Sequence, residues 1–104
     1  MQSIKYYAEE AGVSPIFVLA VAHCESRFTS NAKNINKNET TDWGVMQINS
    51  IHWKQAKALG YDVVNNAIDN IRFGIYLIKK NGHRDYLASA KCVGRYNGQG
   101  LDYS

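Results

Sequence analysis

The pattern of apolar and polar residues along the chain predicts a mainly α-helical domain built around one fully apolar helix. Residues 16–22 are all apolar, without a polar break. Ser14 and Pro15 come directly before them and suit the N-cap and first-turn positions of a helix. Because a helix that is apolar on every side is usually buried, we expect this one at the centre of the domain.

Two more helices are predicted on either side of this segment. The sequence SIKYYAEEAG, residues 3–12, has an amphipathic pattern and should end at Gly12. The sequence IHWKQAKALG, residues 51–60, should be capped by Ser50 and end at Gly60.

The second half of the chain carries two further helical patterns. Isoleucines recur at helical spacing within residues 66–80, which predicts a long helix ending near Gly82. The sequence YLASAKCVGRYN, residues 86–97, predicts a last helix that is capped by Asp85, with Gly98 beyond its end.

The stretch between the helices is polar. Residues 29–42, TSNAKNINKNETTD, are rich in asparagine and threonine and therefore predict a loop. Residues 43–48, WGVMQI, form a short segment that is compatible with an extended strand. No repeat, linker or low-complexity tract divides the 104 residues, so we expect one domain over residues 1–104.

Composition and charge narrow the range of partners only slightly. The net charge of +3 favours an anionic partner, but the basic residues form no run, so nucleic-acid binding is not expected. The apolar run is far shorter than the roughly 18 residues that span a membrane, so stable membrane insertion is not expected. Two cysteines and three histidines without ligand spacing predict no metal site and no cofactor.

A single carboxylate follows the apolar helix. Glu25 shares a helix face with Val18, Val21 and Ala22, and burial among such residues raises the pKa of a carboxyl group. A raised pKa is what a general acid needs near neutral pH. The plainer alternative is a solvated glutamate that pairs with Arg27 or a lysine, and the residues alone leave both open.

Three short motifs, in a fixed order, point to one protein family. Glu25 and Ser26 form the first, residues 44–47 (GVMQ) the second, and residues 94–98 (GRYNG) the third. Together they resemble the lysozyme-like lytic transglycosylases, above all the small members found in bacterial secretion and conjugation systems and in phages. The resemblance implies a lysozyme-like fold with a cleft between the helices and residues 29–48.

The resemblance also implies roles for individual side chains. Glu25 would be the single acid and base, and Tyr96 would hold its carboxyl group in place. Gln47 would hydrogen-bond a sugar, Asn97 would face the same cleft, and Met46 would line a sugar subsite.

Three more positions belong to this comparison. Gly44 would let the backbone approach the substrate closely, and Ser26 would join the substrate-binding residues. Asn34 is a departure, because many family members carry a serine nine residues after the glutamate.

The same residues also have purely structural interpretations. Met46 would fill the core, Gln47 would be an ordinary loop amide, and Tyr96 with Asn97 would form a helix end. Gly94, within the last predicted helix, would allow a close helix crossing.

Asp42 is the second catalytic candidate. The sequence TDWGVMQINS also resembles the animal lysozyme phrase in which an aspartate precedes an aromatic residue and a glycine. In that fold the aspartate faces the acid across the cleft and stabilises an oxocarbenium-like state. Transglycosylases can dispense with it, and an Asx turn would also explain the residue, so three interpretations stay open.

The remaining candidates carry less weight. His23 is expected to be structural, and Trp43 is a better candidate than Trp53 for stacking on a sugar ring. The resemblance brings the helices of Cys24 and Cys92 together. A disulfide is one option outside the cytoplasm, but we favour free buried thiols.

The predicted function is cleavage of the β-1,4 bond between N-acetylmuramic acid and N-acetylglucosamine, with a 1,6-anhydro product. The alternatives are a hydrolytic muramidase that uses Glu25 and Asp42, and a non-catalytic wall-binding or assembly module. We expect a monomer that acts on peptidoglycan in the periplasm or outside the cell, with a secretion, conjugation or phage assembly as a further partner. No secretory signal is visible, so we expect another export route or a removed upstream segment.

Overall fold

A computed structural model describes residues 2–96 of the chain, and it has the mainly α-helical architecture predicted from the sequence. Within these residues the five α-helices are α1 (Gln2–Ala11), α2 (Pro15–Ser26), α3 (Trp53–Ala58), α4 (Ala67–Asn81) and α5 (Ala90–Gly94). Two 3-10 helices, Ser50–His52 and Arg84–Ser89, precede α3 and α5.

The apolar helix α2 lies at the centre of the domain, as its composition predicts. Its backbone begins at Pro15, and the Ser14 side chain accepts a hydrogen bond from the Phe17 N–H at 3.3 Å. The five residues from Val18 to Ala22 are all buried, and α1 and α5 both pack against α2. Burial of this apolar surface from water stabilises the fold and fixes the helix whose last turn carries Glu25.

A small antiparallel sheet follows α2. Its strands are β1 (Lys33–Ile35), β2 (Thr41–Trp43) and β3 (Ile48–Asn49), in that order across the sheet. The predicted loop over residues 29–42 was therefore wrong in part, because both β1 and the start of β2 lie within it. These strands are short, and β1 is exposed along its length, so they show none of the apolar alternation by which a strand is recognised.

The segment between β2 and β3 is a tight turn rather than the extended strand expected there. Gly44 and Gln47 both have positive φ angles, 83° and 49°, and the Gln47 N–H donates to the Gly44 carbonyl at 3.1 Å. The Asn70 side chain of α4 lies beneath the turn. It accepts from the Met46 N–H at 2.8 Å and donates to the Trp43 carbonyl at 2.8 Å.

The long helix α4 agrees with the isoleucine pattern, but the prediction of one continuous last helix was wrong in part. The 3-10 helix Arg84–Ser89 replaces its first half, with a backbone kink at Tyr86 (φ −128°). Asp85 is therefore not an N-cap, and its carboxylate accepts instead from the Asn81 amide at 2.9 Å. Gly98, predicted beyond the end of this helix, lies outside the described residues.

The cap before α3 and the surroundings of Gly94 also differ from the predictions. Asn49, rather than Ser50, caps the turn before α3 and accepts from the Ile51 N–H. Gly94 ends α5, and a Cβ atom added there would meet no other described element within 4 Å, so no close helix crossing accounts for this glycine. The close approach is at Gly74 of α4, which packs against the Met46 side chain.

A disulfide joins Cys24 of α2 to Cys92 of α5, with 5.9 Å between the Cα atoms. The preference for free thiols was therefore wrong. The two helices pack side by side, and this brings the cysteines within the separation that a disulfide requires. Within residues 2–96, no helix has the length and apolar character needed to cross a lipid bilayer.

Candidate active site

A cleft of about 270 Å³ opens where the end of α2, the sheet and the 3-10 helix Arg84–Ser89 meet. Its lining combines three carboxylates, one histidine, two amides and several apolar side chains. These are Glu25, Asp42, Gln47, Ile48, Asn49, Ile51, His52, Leu77, Asp85, Tyr86 and Ala88. Both catalytic candidates from the sequence therefore face the same space, although they lie on different elements.

Glu25 lies in the last turn of α2 and is half-buried. Burial raises the pKa of its carboxyl group above the ordinary value of 4.5, and the negative charge of Asp42 raises it further. A hydrogen bond with Ser89 acts in the opposite direction. The direction of this shift is the one expected from the apolar face of α2. Among residues 2–96, no ion pair joins Glu25 to Arg27 or to a lysine.

The backbone turns sharply just after Glu25. Arg27 and Phe28 both adopt left-handed conformations, with φ of 52° and 62°. The Arg27 N–H satisfies the Ala22 and His23 carbonyl groups, so the helix ends there. The last turn of α2 thus brings the carboxyl group to the cleft at the point where the chain leaves the helix.

Asp42 of β2 is held by two amides. The Asn49 amide donates to one carboxylate oxygen at 2.9 Å, and the Asn36 amide donates to the other at 3.1 Å. Both amides also lie within 3.1 Å of the Thr40 hydroxyl oxygen. Within the described part of the chain, no backbone N–H donates to this carboxylate. The Asx-turn interpretation was therefore wrong, because the donors that hold Asp42 are side-chain amides.

Two residues of the 3-10 helix Arg84–Ser89 complete the surroundings of Glu25. The Tyr86 hydroxyl donates to the Met46 carbonyl at 2.9 Å, and burial together with the charges of Glu25, Asp85 and Asp42 raises the pKa of Tyr86 well above 10. The Ser89 hydroxyl donates to the Tyr86 carbonyl at 3.2 Å, and it lies near enough to Glu25 to lower the pKa of that carboxyl group. The sequence analysis missed both, since it assigned them to the first turn of a regular helix over residues 86–97.

Tyr96 lies at the end of the described residues, and its ring packs on His23 with 5.3 Å between the ring centroids. Among residues 2–96, no hydrogen bond joins the Tyr96 hydroxyl to Glu25. The hydroxyl group that influences the pKa of Glu25 is therefore that of Ser89. His23 also packs against Phe28 at 5.7 Å, which agrees with a structural histidine. Asn97 lies outside the described residues.

Three other candidates support the cleft without lining it. The Ser26 hydroxyl lies 2.7 Å from the Val45 carbonyl oxygen and so ties α2 to the turn. Gly44 packs against Asn70, where a Cβ atom would lie only 2.3 Å from the amide nitrogen. The Met46 side chain is 0% exposed. Its proposed place in a sugar subsite does not fit this burial, and the core interpretation does.

Gln47 lines the cleft, but other protein groups bind its side chain. Its amide oxygen accepts from Asn34 at 2.7 Å, and its amide nitrogen donates to the Ala32 and Gly44 carbonyls at 3.1 and 3.0 Å. The side chain is only 7% exposed. Asn34, the residue that departs from the family pattern, therefore orients Gln47.

The outer part of the cleft contains groups that the motifs did not indicate. His52 lies 3.6 Å from the Asp85 carboxylate, and both side chains are about one-fifth exposed (22% and 20%). Ile51 lies at the rim and is 71% exposed. Neither tryptophan lines the cleft, and their indole N–H groups donate to the backbone carbonyls of Val64 and Ile48. Residues 2–96 contain no cluster of histidine, cysteine or acidic side chains that could hold a metal ion.

Comparisons with known proteins agree with this geometry. The chain is similar to the protein called IpgF from Shigella flexneri and from Shigella sonnei, with 38% identity over 53 residues in both cases. This match covers 51% of the chain but only 35% of either relative, so the chain spans about a third of their length. The sequence profile of the transglycosylase SLT domain matches residues 2–101. Because this match extends over nearly the whole chain, the protein belongs to the transglycosylase SLT domain family.

Proposed function

We propose that this domain cleaves the β-1,4 bond between N-acetylmuramic acid and N-acetylglucosamine in peptidoglycan, with Glu25 as the proton donor. The observation that carries the proposal is the half-buried Glu25 carboxyl group in a cleft, with its pKa raised by burial and by Asp42. Membership of the transglycosylase SLT domain family supports the same substrate.

The reaction would begin with the protonated form of Glu25. Its carboxyl group gives a proton to the glycosidic oxygen, and the bond to the anomeric carbon of the muramic acid breaks. The positive charge that develops on this carbon is stabilised by the Asp42 carboxylate. The muramic C6 hydroxyl then attacks the same carbon, and its proton passes to the Glu25 carboxylate. This step restores the acid and closes a 1,6-anhydro ring.

Asp42 favours a second candidate, hydrolysis. Its carboxylate is fixed by the Asn36 and Asn49 amides in the cleft that also contains Glu25. A fixed second carboxylate can stabilise the cation long enough for water to replace the C6 hydroxyl as the nucleophile. The product would then be a reducing-end muropeptide, and the enzyme would be a muramidase.

The substrate contacts and the place of action belong to the same proposal. Gln47 would contact a sugar from the cleft wall, and Asn97 would face the same cleft, as the family motif implies. The Cys24–Cys92 disulfide supports work in an oxidising compartment, such as the periplasm or the outside of the cell. A monomer within a secretion, conjugation or phage assembly remains the expected form.

Mass analysis of the products tests the proposal. Purified wild-type protein is incubated with peptidoglycan, and the soluble fragments are analysed with and without borohydride reduction. Anhydromuropeptides lack one water and do not react with borohydride, whereas hydrolytic products have a reducible end. A majority of reducible fragments would overturn the transglycosylase reaction in favour of the muramidase. A failure to release any fragments would support the non-catalytic wall-binding module instead.

A further inference from the structure

A second concave surface lies away from the catalytic cleft. It has a volume of about 400 Å³ and is formed by α1, α4 and the segment after α3. We call it the tyrosine groove, because three tyrosines line it together with basic and apolar residues. Its lining residues are Tyr7, Glu10, Ala11, Tyr61, Arg72, Ile75, Tyr76, Lys79 and Lys80. None of them lines the cleft around Glu25.

The Arg72 guanidinium is held within this groove by aromatic rings. Its central carbon lies 5.2 Å from the ring centre of Tyr7 and 5.4 Å from that of Tyr61. The Lys80 ammonium lies 5.7 Å from the ring centre of Tyr76 in the same way. Such cation–π contacts restrict the side chains and yet leave the N–H donors of a guanidinium unused.

The charge of the tyrosine groove is unbalanced. Arg72, Lys79 and Lys80 face a single acidic lining residue, Glu10. Glu10 lies beside Tyr6 on the same helix, and this contact raises the pKa of Tyr6. Among residues 2–96, Arg72 makes neither an ion pair nor a side-chain hydrogen bond. The groove therefore contains a positioned guanidinium that lacks a carboxylate partner within the described chain.

We propose that the tyrosine groove is a docking site for an acidic segment of a partner protein. A carboxylate can bind the Arg72 fork with two hydrogen bonds, and Lys79 can add a second charge contact. Tyrosine and arginine are the residue types on which protein interfaces rely most. The sugars of a glycan strand fit less well, because they carry no negative charge to pair with Arg72, Lys79 and Lys80.

Docking at this site would leave the catalytic cleft open. Helix α4 takes part in both surfaces, but Leu77 lines the cleft and points to a different side of the helix from Arg72 and Lys79. A partner could therefore hold the domain in place while substrate occupies the cleft. The inference does not depend on the reaction catalysed at Glu25.

The test uses random peptides as the probe. A display library of short random peptides is selected on the wild-type protein, and the enriched peptides are synthesised for affinity measurement by fluorescence polarisation. We expect enrichment of aspartate and glutamate. Arg72→Gln and Lys79→Gln should each weaken binding, about tenfold for Arg72. Arg84→Gln removes the same charge outside the groove and should leave the affinity unchanged.

Several outcomes would overturn the proposal. One is that the selected peptides contain no excess of acidic residues. Another is that neither Arg72→Gln nor Lys79→Gln alters the affinity for the peptides. Displacement of the peptides by soluble muropeptides would assign the tyrosine groove to the cell wall instead of a partner protein. Melting curves exclude unfolding as the cause of lost binding. Lys79→Gln keeps the test valid if Arg72→Gln is unstable, since Lys79 takes no part in the cation–π contacts. Wild-type affinity in Glu25→Gln would show that the groove acts separately from the cleft.

Discussion

Burial and two neighbouring side chains determine the pKa of Glu25, and they do not all shift it in the same direction. Burial is the largest influence and favours the neutral acid, and the Asp42 charge acts the same way. Ser89 opposes them, because its hydrogen bond favours the carboxylate. The net effect is a raised pKa, which favours the protonated form that the proposed first step uses.

Glu25→Gln should nearly abolish the release of wall fragments while making the protein more stable at neutral pH. The amide keeps the shape of the side chain but has no proton to give. Because the pKa of Glu25 is raised in the folded state, ionisation of this group weakens folding as the pH rises above its unfolded value near 4.5. The variant avoids this loss, so its melting temperature should exceed that of the wild type at pH 7 and match it in acid.

The comparison of melting curves at two pH values provides the control for this prediction. Equal melting temperatures at pH 7 would mean that Glu25 is not held in a desolvated position. Wall lysis by Glu25→Gln at the wild-type rate would remove Glu25 from the mechanism altogether.

Asp42→Asn and Ser89→Ala should move the pH profile of kcat/KM in opposite directions. Loss of the Asp42 charge lowers the pKa of Glu25, so the alkaline limb of the profile shifts to lower pH. Loss of the Ser89 hydrogen bond raises the pKa of Glu25 and shifts the same limb to higher pH. Initial rates of fragment release across the pH range provide the measurement. Shifts of the same sign in both variants would contradict the assigned contacts.

Asp42→Asn also has a structural cost that needs its own control. An asparagine at this position offers one acceptor instead of two, so one of the Asn36 and Asn49 amides loses its partner. Its melting temperature should therefore be measured alongside the rates. An unchanged product with a slower rate would assign Asp42 to charge stabilisation, whereas the hydrolytic role predicts a change of product.

The sequence indicated Glu25 as the candidate acid but not the groups that shift its pKa. Glu25 is recognisable because it follows an apolar helix and stands in a known motif. Asn36, Asn49 and Ser89 carry no such signal, because polar residues in a polar stretch resemble any exposed loop. The position of Asn49 depends on strand register, which pairs it with Asp42 across β2 and β3 and is not readable from such short strands. Ser89 lies in the 3-10 helix Arg84–Ser89, which the sequence pattern did not predict.

At the scale of elements, the turn at residues 44–47 depends on helix α4. Asn70 is 1% exposed and uses its amide to bind the Trp43 and Val63 carbonyls and the Met46 N–H. One buried side chain thus provides hydrogen bonds to three backbone groups, two in the turn region and one in the segment before α4. Since the turn carries Gln47 into the cleft, α4 positions part of the site without contributing an acid or base.

Gly44→Ala should destabilise the protein more than Gly60→Ala, although both glycines have positive φ angles. Gly60 (φ 92°) has open space where a Cβ atom would lie, so alanine there should cost only the ~1–2 kcal/mol of the left-handed backbone. At Gly44 (φ 83°) the added atom would also overlap the Asn70 side chain, which adds about 1–3 kcal/mol. Urea denaturation of the two variants measures the difference, and equal losses would show that the turn can move away from Asn70.

Helices were predicted correctly where one face or the whole helix is apolar. The prediction failed where hydrogen bonds of polar groups determine the backbone conformation. α2 and α4 bury apolar residues at helical spacing and were recognised. At the kink, the Tyr86 hydroxyl donates a hydrogen bond to the Met46 carbonyl, forty residues away in sequence. A local sequence pattern cannot predict such a distant contact. The strands β1 and β2 are likewise held by polar pairs and lack an apolar face.

At the scale of the whole molecule, the Cys24–Cys92 disulfide closes most of the described chain into one loop. The two cysteines are 68 residues apart, and the bond lies one residue from Glu25 on α2. It also anchors α5, a helix of only five residues that would have little stability by itself. The fold thus combines an apolar core around α2 with one disulfide near the end of α2 that faces the cleft.

Removal of the disulfide should lower stability strongly and activity as well. For a loop of this length, the loss of chain-entropy stabilisation corresponds to about 4 kcal/mol in the free energy of unfolding. Cys92→Ser, or treatment of the wild type with dithiothreitol, should therefore lower the melting temperature markedly. Release of wall fragments should fall at temperatures where the oxidised protein is fully active, because α5 and Ser89 are no longer tied to the helix of Glu25.

The double variant Cys24→Ser/Cys92→Ser separates the bond from other effects of the reductant. It should behave like the reduced wild type and show no further response to dithiothreitol. If reduction left both the melting temperature and the rate of fragment release unchanged, the apolar core alone would hold α5 in place. The disulfide would then have no part in shaping the cleft. If stability fell while the rate at low temperature stayed constant, the bond would support the fold without positioning Ser89 against Glu25.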